Sequence, residues 1–541
     1  MRPQPHYRLL PSMAIVLAWL CAANAEAPAP PRLAYAQTRD LAAQARKGMD
    51  LYLRRRTGPE DQPVLDSLAE LDSTRYPVAV TFWQEGKAVA RAVHSRLSTP
   101  RNAIAAALDA MRSPLLGNRV TGEVLAGLTI EIEVLSPGRY VEDDQLPASI
   151  QPGLTSLTLI QGMQEAHVTA GEAYRHGLDV DQMRREAISR IRLRPQEADL
   201  KRLWKVHGTL QILDAPGQVP VVLFRGKRPI DQQNVDLKLA RTSGLALANA
   251  LLAHQSADGR LGDPKTDSLA DHAWAIYALA RQAGKNPTDA QQRAIDAGMA
   301  FSARALSADQ ARSPAEQLAE TAAWTAMTSL AISPDGQGQQ AREDLVRALV
   351  EYASARSGAE DPLGSIRSDA VICHALGALP GSDQQTQARR QLLERLGKIP
   401  PQNAQQWGWL IFAGVKSPAA PTGVDPQAHP RTDAIDTRGG FAFAGQLPTT
   451  ESTALALINI AAGRRWPESP GGPAWPADSP KAAQLAQARF LIQMTVRASE
   501  AWFAPEPGRL VGQVRIHPAS ARTSLAATAA ALHAMATALG R

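Results

Sequence analysis

The chain has 541 residues, of which 44% are hydrophobic and 20% charged; this excludes a disordered or fibrous polypeptide and leaves room for two or more domains. Aromatic residues make up only 5% and there are two cysteines, Cys21 and Cys373, so close-packed helices are favoured over an all-β fold, and neither a disulfide framework nor a cysteine-based zinc knuckle can be built. The net charge of +6 is scattered among acidic residues, with Arg54-Arg55-Arg56 as its densest run; that is a solvated surface rather than the basic, aromatic-interleaved stripe of a nucleic-acid binder.

Residues 1–25 carry Arg2, His6 and Arg8, then an apolar run from Met13 to Ala23, then Ala23-Asn24-Ala25. A positive start, a short apolar core and small residues at −3 and −1 are the parts of a secretory signal, with cleavage expected after Ala25. The expected location is secreted or periplasmic. The apolar run is shorter than the roughly 20 residues of a spanning helix, and the competing reading is an N-terminal anchor that is retained. Residues 26–37, beginning with the Pro/Ala run Glu26 to Pro31, read as an extended linker. Cleavage would leave Cys373 as the one cysteine, and its apolar neighbours suggest a buried thiol.

From 38 to 230 the pattern is α+β. Leu41, Ala45, Met49 and Leu53 recur on one helical face, with Thr38 as the expected cap. Tyr76 to Trp83 and Ala88 to His94 read as strands of a hairpin, Thr99-Pro100 opens a helix to about Met111, and Leu125 to Leu135 alternates apolar with polar side chains before stopping at Ser136-Pro137-Gly138. A further strand over 153–160 and a helix over 179–191 complete the expected elements.

The run from Asn102 through Ala110-Met111-Arg112-Ser113-Pro114, then Val120-Thr121-Gly122-Glu123-Val124-Leu125, then Leu128 to Pro137, resembles the AMMECR-type domain. Ile150 to Leu159, Ala166 to Ala170 and Asp181 to Leu193 follow in the order of that family, so the resemblance covers about 39–195. It implies an α+β fold with an antiparallel sheet and no settled activity. The family's Leu-Arg-Gly-Cys-Ile-Gly motif is absent; the matching stretch, Val89-Ala90-Arg91-Ala92-Val93-His94, keeps an arginine and loses the cysteine. Arg91 and His94 are three apart on a strand and therefore face opposite ways.

From 237 to 541 apolar helical stretches alternate with polar ones. Four apolar stretches begin on an acid: Asp271, Glu320, Asp369 and Glu451, the first three at a constant spacing of 49 residues. Others surround Trp407 to Phe412 and run from Ala519 to Leu532, while polar helices are expected over 237–255, 289–306, 339–355, 384–396 and 481–496. Thr288 with Gln291 and Ser382 with Gln385 supply caps. Alanine-rich helices alternating with amphipathic ones describe an inner and an outer ring, an all-α α/α toroid of about six helical hairpins. The Pro/Gly-rich 416–448 stretch stands where the fifth outer helix would be.

Leu252-Ala-His-Gln255-Ser256 with Asp258-Gly259-Arg-Leu261 resembles the Gln-x-x-x-Gly-x-Trp turn of the terpenoid cyclase and protein prenyltransferase toroids, with Leu261 in place of the tryptophan, and Asp436-Thr-Arg-Gly439-Gly440-Phe441 repeats its second half. The reaction centres of those families are missing: no Asp-x-Asp-Asp run, no Cys-Gly-Glu-Gln thioester, and no zinc set, because His374 points about 100° away from the face that Asp369 and Cys373 share. No metal or other cofactor is expected.

Asp271, Glu320, Asp369 and Glu451 remain as candidate catalytic residues that would converge at one mouth of the toroid, and Trp274, Trp324, Trp407 and Trp409 as candidates to stack on a sugar. Helix-dipole preference for first-turn acids and a core role for the aromatics explain the same residues without a ligand. The resulting expectation is an exported two-domain protein whose toroid is a non-catalytic binding or scaffold module for a glycan or protein ligand. The alternative is a toroid enzyme acting on a polysaccharide or isoprenoid through its carboxylates. A hydrolase needs two carboxylates about 5–10 Å apart in an open cleft; a scaffold leaves them splayed or locked in helix caps.

Overall fold

The computed structural model describes residues 28–540 except 55–57, 85–86, 114–115, 117–120, 152, 192–200, 224–229, 231–234, 309–313, 334–337, 357–365, 417–439, 443–447, 465–479, 498–499, 502–506 and 519–520. The signal-like segment and most of the 416–448 stretch lie outside those residues. The chain divides into two compact units, Met1–Arg228 and Pro229–Arg541.

In the first unit, helix α1 (Tyr35–Leu53) buries Leu41, Ala45 and Met49. It starts before Thr38, whose hydroxyl donates to the Ala34 carbonyl at 3.2 Å instead of capping. Strands β1 (Val78–Gln84) and β2 (Lys87–His94) form the expected hairpin, and α2 (Thr99–Met111) begins with Pro100 in its first turn. Then come β3 (Thr129–Leu135), β4 (Arg139–Val141), β5 (Thr155–Gln161), β6 (Gln164–Val168), α3 (Ala170–His176), α4 (Val180–Arg190), β7 (Leu203–Asp214) and β8 (Val221–Leu223). The strands form one sheet of order β2-β1-β3-β7-β5-β6, with every paired neighbour antiparallel.

The centre of that sheet is β7, an element not among those expected, although Trp204, Val206, Leu210 and Ile212 alternate with Lys205, His207, Thr209 and Gln211 at the period of a strand. Its Thr209–Asp214 half pairs with β3 and its Leu203–Gly208 half with β5, while β4 and β8 continue the ladder on either side. Ser136-Pro137-Gly138 separates β3 from β4, so two short segments share one long strand. One face of β3 (Ile130, Ile132, Val134) packs with Val78, Val80 and Phe82 of β1 against α1 and α2.

The second unit is an α/α toroid. Its outer helices are α5 (Leu237–Ala253), α7 (Asp289–Ala308), α9 (Gln339–Arg356), α11 (Asp383–Gly397) and α14 (Pro480–Met494); the inner ones are α6 (Leu269–Ala283), α8 (Ala315–Ile332), α10 (Ile366–Ala378), α12 (Ala404–Ala413), α13 (Thr450–Ala461) and α15 (Leu525–Ala538). The inner helices pack in the cyclic order α6-α8-α10-α12-α13-α15, and α15 returns to α6 to close the ring. Alanine and glycine allow this convergence: a Cβ on Gly408 of α12 would lie 2.9 Å from the Cβ of Leu455 on α13.

The Gln255–Leu261 turn shows how one outer helix is fastened to the next. Gln255 Nε2 donates to the Gly259 carbonyl at 2.9 Å and to the Ala294 carbonyl at 2.8 Å, and the Leu261 N–H donates to His272 Nδ1 at 2.9 Å. Gly259 has φ +94° and abuts the backbone of α7, where an added Cβ would collide with the Ala297 carbonyl. Gly259→Ala should therefore cost about 2 kcal/mol or more in denaturant unfolding. Gly217→Ala, at φ +69° with nothing within 4 Å, should cost only about 1 kcal/mol.

Candidate functional site

The N-terminal ends of the inner helices meet around a residue absent from the expected set, Arg367 in the first turn of α10. Its Nη2 donates to Asp271 Oδ1 at 2.6 Å and its Nε to Glu320 Oε1 at 2.7 Å. Glu320 also accepts from Ser368 Oγ at 2.9 Å and Trp324 Nε1 at 3.3 Å, and its side chain is only 4% exposed. Asp271 is the N3 residue of a capping box: its Oδ2 accepts from the Ser268 N–H at 3.1 Å and hydroxyl at 2.7 Å, and the Ser268 hydroxyl accepts the Asp271 N–H. Glu451, half-buried in the first turn of α13, accepts from the side-chain amide of Gln405 on α12.

The electrostatics divide these acids. Burial opposes ionisation of Asp271, but the Arg367 charge and the Ser268 hydrogen bonds hold its carboxyl below the usual range. Burial pushes Glu451 above its ordinary value; Asp271 and Glu320 add to the rise and Arg367 opposes it. Arg367, despite the cost of burial, is held firmly protonated by Glu320, Asp271 and Glu451.

Asp369 does not join them. Its side chain is fully buried on the outward side of α10, 3.7 Å from Arg356 of α9 and 3.8 Å from Arg395 of α11. The constant spacing in sequence misleads because the inner helices begin at different offsets: Asp271 is third in α6, Glu320 sixth in α8 and Asp369 fourth in α10. The inward position of α10 is Arg367. A basic residue two before the third acid was the available signal, visible only once the helix start is known.

The four tryptophans are interior residues, each at most 1% exposed. Trp274 and Trp324 stack with centroids 5.4 Å apart and planes 9° from parallel, Trp409 lies 5.4 Å from Trp274, and Arg367 covers the stack at 5.1 Å from Trp274 and 5.8 Å from Trp409. Trp407 belongs to a separate cluster with Ile411, Phe441 and Ala456. As folded, three rings fill the lumen beneath Arg367 and none offers a free face to a sugar. Cys373 is buried, its thiol pushed up to about 12 by burial, and among the described residues no three His, Cys, Asp or Glu side chains form a metal cluster.

A second charged constellation, in the α+β unit, was not anticipated. The alternation of β3 suggests one solvated face, but Glu131 and Glu133 are 2% and 1% exposed, beneath α3. Glu131 pairs with Arg175 and accepts from Trp83 Nε1 at 3.2 Å; Glu133 accepts the Gly171 N–H at 2.6 Å. Arg91 and Arg190 both pair with Glu172, while His94, on the other face of β2, meets Asn102 Oδ1 at 2.9 Å through its Nδ1. Burial raises Glu133, with Glu131 adding to it; for Glu172 burial is outweighed by Arg91 and Arg190, which hold it down to about 2.

A scan against protein-family models and a search of curated proteins both return no match. Among solved structures, the chain is similar to an uncharacterised protein of Pyrococcus horikoshii at 19% identity and a TM-score of 0.30, over 34% of this chain and 95% of that one. It is also similar to a family 76 glycoside hydrolase from a bovine Bacteroides thetaiotaomicron strain at 9% identity and a TM-score of 0.27, over 75% of this chain and 95% of that one. Likenesses at this level leave the chemistry of the site to its own residues.

Two outcomes test the cluster. Arg367→Met strands Asp271 and Glu320 without their counter-ion and should lower stability by about 3 kcal/mol at neutral pH. Glu451 has the opposite sign: its folded pKa is raised, so its protonated form contributes stability below the unfolded pKa, and that contribution is lost as pH rises through the folded pKa. Glu451→Gln, which keeps a neutral side chain, should melt higher than the parent protein at pH 7 and show no advantage once the pH is below the unfolded pKa of about 4.3.

Proposed function

We propose that this chain is an exported binding protein: a signal over 1–25, an AMMECR-like α+β domain, and a toroid that captures a ligand without turning it over. The observation carrying this reading is Arg367, which engages Asp271 and Glu320 together at 2.6 and 2.7 Å. A retaining or inverting glycosidase keeps one carboxylate as acid and another free to attack or activate water across an open space. Here one candidate is locked in both a helix cap and an ion pair, and the other is almost wholly buried beside a tryptophan. Export rests on the composition of the first 25 residues.

One observation favours the enzymatic alternative. Asp271 and Glu451 interact, yet their carboxyls are displaced in opposite directions, and such divergence is how a site separates a base from an acid. A polysaccharide hydrolase would use Glu451 as the acid and Asp271, released from Arg367, as its partner.

The two readings part in one assay. The chain from residue 26 onward is incubated with a panel of plant, fungal and bacterial glycans, and new reducing ends are counted beside array binding. The binding reading expects no release above the buffer blank. Release that disappears in an Asp271→Asn, Glu451→Gln double variant, with the fold confirmed by circular dichroism, overturns it and establishes the hydrolase.

A further inference from the structure

The inner helices also end together, and there the charge reverses. Arg281 lies in the last turn of α6, His374 near the end of α10, and Arg464 two residues past Ala462, the C-cap of α13. Arg389 enters from the outer helix α11, its guanidinium lying over Gly377, where a Cβ would come within 2.7 Å of Nε and 2.8 Å of Cζ. Its Nη2 lies 3.6 Å from where a Cβ on Gly414 would stand, at the left-handed C-cap of α12. All four polar residues are half-buried.

Arg464 is held rigidly. Nη1 donates to the Phe412 carbonyl and to Asn459 Oδ1 at 2.8 Å each, Nη2 lies 3.2 Å from His374 Nδ1, and the guanidinium sits 5.3 Å over the Phe412 ring. A guanidinium only donates, so His374 presents a lone pair to it and is neutral. Burial, with Arg464, Arg389 and Arg281 around it, holds His374 down to about 3, and His533 behind it is likewise neutral.

Cations beside the last turn of a helix oppose its dipole and satisfy its free carbonyls. That explains the Arg464 bond to Phe412. It does not explain Arg389, whose Nε is buried with no acceptor. Among the described residues neither Arg389 nor Arg464 is in an ion pair with a carboxylate, and the charge that acts on Arg464 is that of Arg389. Two half-buried guanidiniums, those of Arg389 and Arg464, set near each other with no carboxylate paired to either among the described residues are costly to the fold and favourable to bind: an incoming anion replaces their mutual repulsion with charge-assisted hydrogen bonds.

We propose that this end of the toroid is a binding site for an oxyanion, the phosphate or carboxylate group of a small ligand, with Arg389 and Arg464 as its guanidinium ligands and Arg281 completing the positive rim. The planar fork of arginine suits a group with two or more oxygens. Asp271 and Arg281 are ten residues apart on α6, about 15 Å along the helix, so the site is separate from the acidic mouth. The inference rests on the binding-module reading and gives that module a ligand chemistry.

The chain from residue 26 onward is titrated with inorganic phosphate and, separately, with citrate by calorimetry, at an ionic strength held constant with sodium chloride. Saturable binding of one or both probes is expected, the stronger identifying phosphate or carboxylate as the preferred group. Arg389→Gln should weaken it about tenfold or more and Arg389→Lys by less, because the charge remains while the fork is lost. Arg390→Gln, altering a neighbour whose side chain is 81% exposed and paired with Glu394, should leave affinity unchanged. If Arg389→Gln does not fold, as judged by circular dichroism, Arg389→Lys against Arg390→Gln carries the comparison. No binding of either probe to the parent protein at about 10 mM, or equal affinity in the Arg389 and Arg390 variants, overturns the site. Glycan hydrolysis in the reducing-end assay would overturn the binding-module reading without altering this titration.

Discussion

The helical unit is organised around a cation placed where water is scarce. Arg367 stands above the Trp274 and Trp409 rings, and a guanidinium there is tolerable only if carboxylates accept its N–H hydrogen bonds from the other side. Asp271 from α6 and Glu320 from α8 do so, and Glu451 from α13 contributes its field. One side chain of α10 thereby engages two other inner helices through short contacts and influences a third. The tryptophans cannot be exposed without removing that cover, and the carboxylates cannot be released without stranding a charge.

Along the lumen the chemistry changes in layers. Carboxylates around Arg367 give way to stacked rings, then to Tyr277, Phe412 and His533, then to His374 and the arginines. Trp274 Nε1 donates to His533 Nδ1 at 3.3 Å, and Tyr277 meets the same imidazole edge-on at 5.1 Å, so the neutral histidine joins the aromatic layer to the basic end. The gradient runs against convenience at both ends in different ways. Acids at helix N-termini are favoured by the dipole and are then neutralised by Arg367; cations at the C-termini are favoured too, and there Arg464 meets the Phe412 carbonyl whereas the Nε of Arg389 meets no acceptor.

The α+β unit solves a similar problem on a sheet. Its apolar face packs conventionally against two helices, whereas its other face carries Glu131 and Glu133 on β3 beneath α3. Such burial is supportable because Arg175 and Trp83 donate to Glu131 and the Gly171 N–H to Glu133, while Arg91 and Arg190 hold Glu172 on the covering helix. Gly171 matters because its missing side chain lets the backbone approach both carboxylates. Alternation in β3 was readable from the residues; that its polar side would be covered was not, because nothing local distinguishes a carboxylate facing water from one facing an arginine 40 or more residues away.

The elements and their ends were mostly legible. Pro100 marks a helix start, Ser382 caps its helix, Gln255 and Gly259 announce a tied turn, and the alternation of alanine-rich with polar helices describes two rings. These are interactions over a few residues, and 3.6-residue and two-residue periods record them directly. Three things were decided only by the tertiary structure: that Arg367 and not Asp369 faces the lumen, that the tryptophans fill it, and that Leu203–Asp214, whose alternation of Lys205, His207, Thr209 and Gln211 with apolar residues marks it as a strand, is the central one on which both halves of the sheet are built. Each depends on how far one helix or strand is shifted along its neighbour, and a shift of one or two residues turns an inward side chain outward without changing any local pattern.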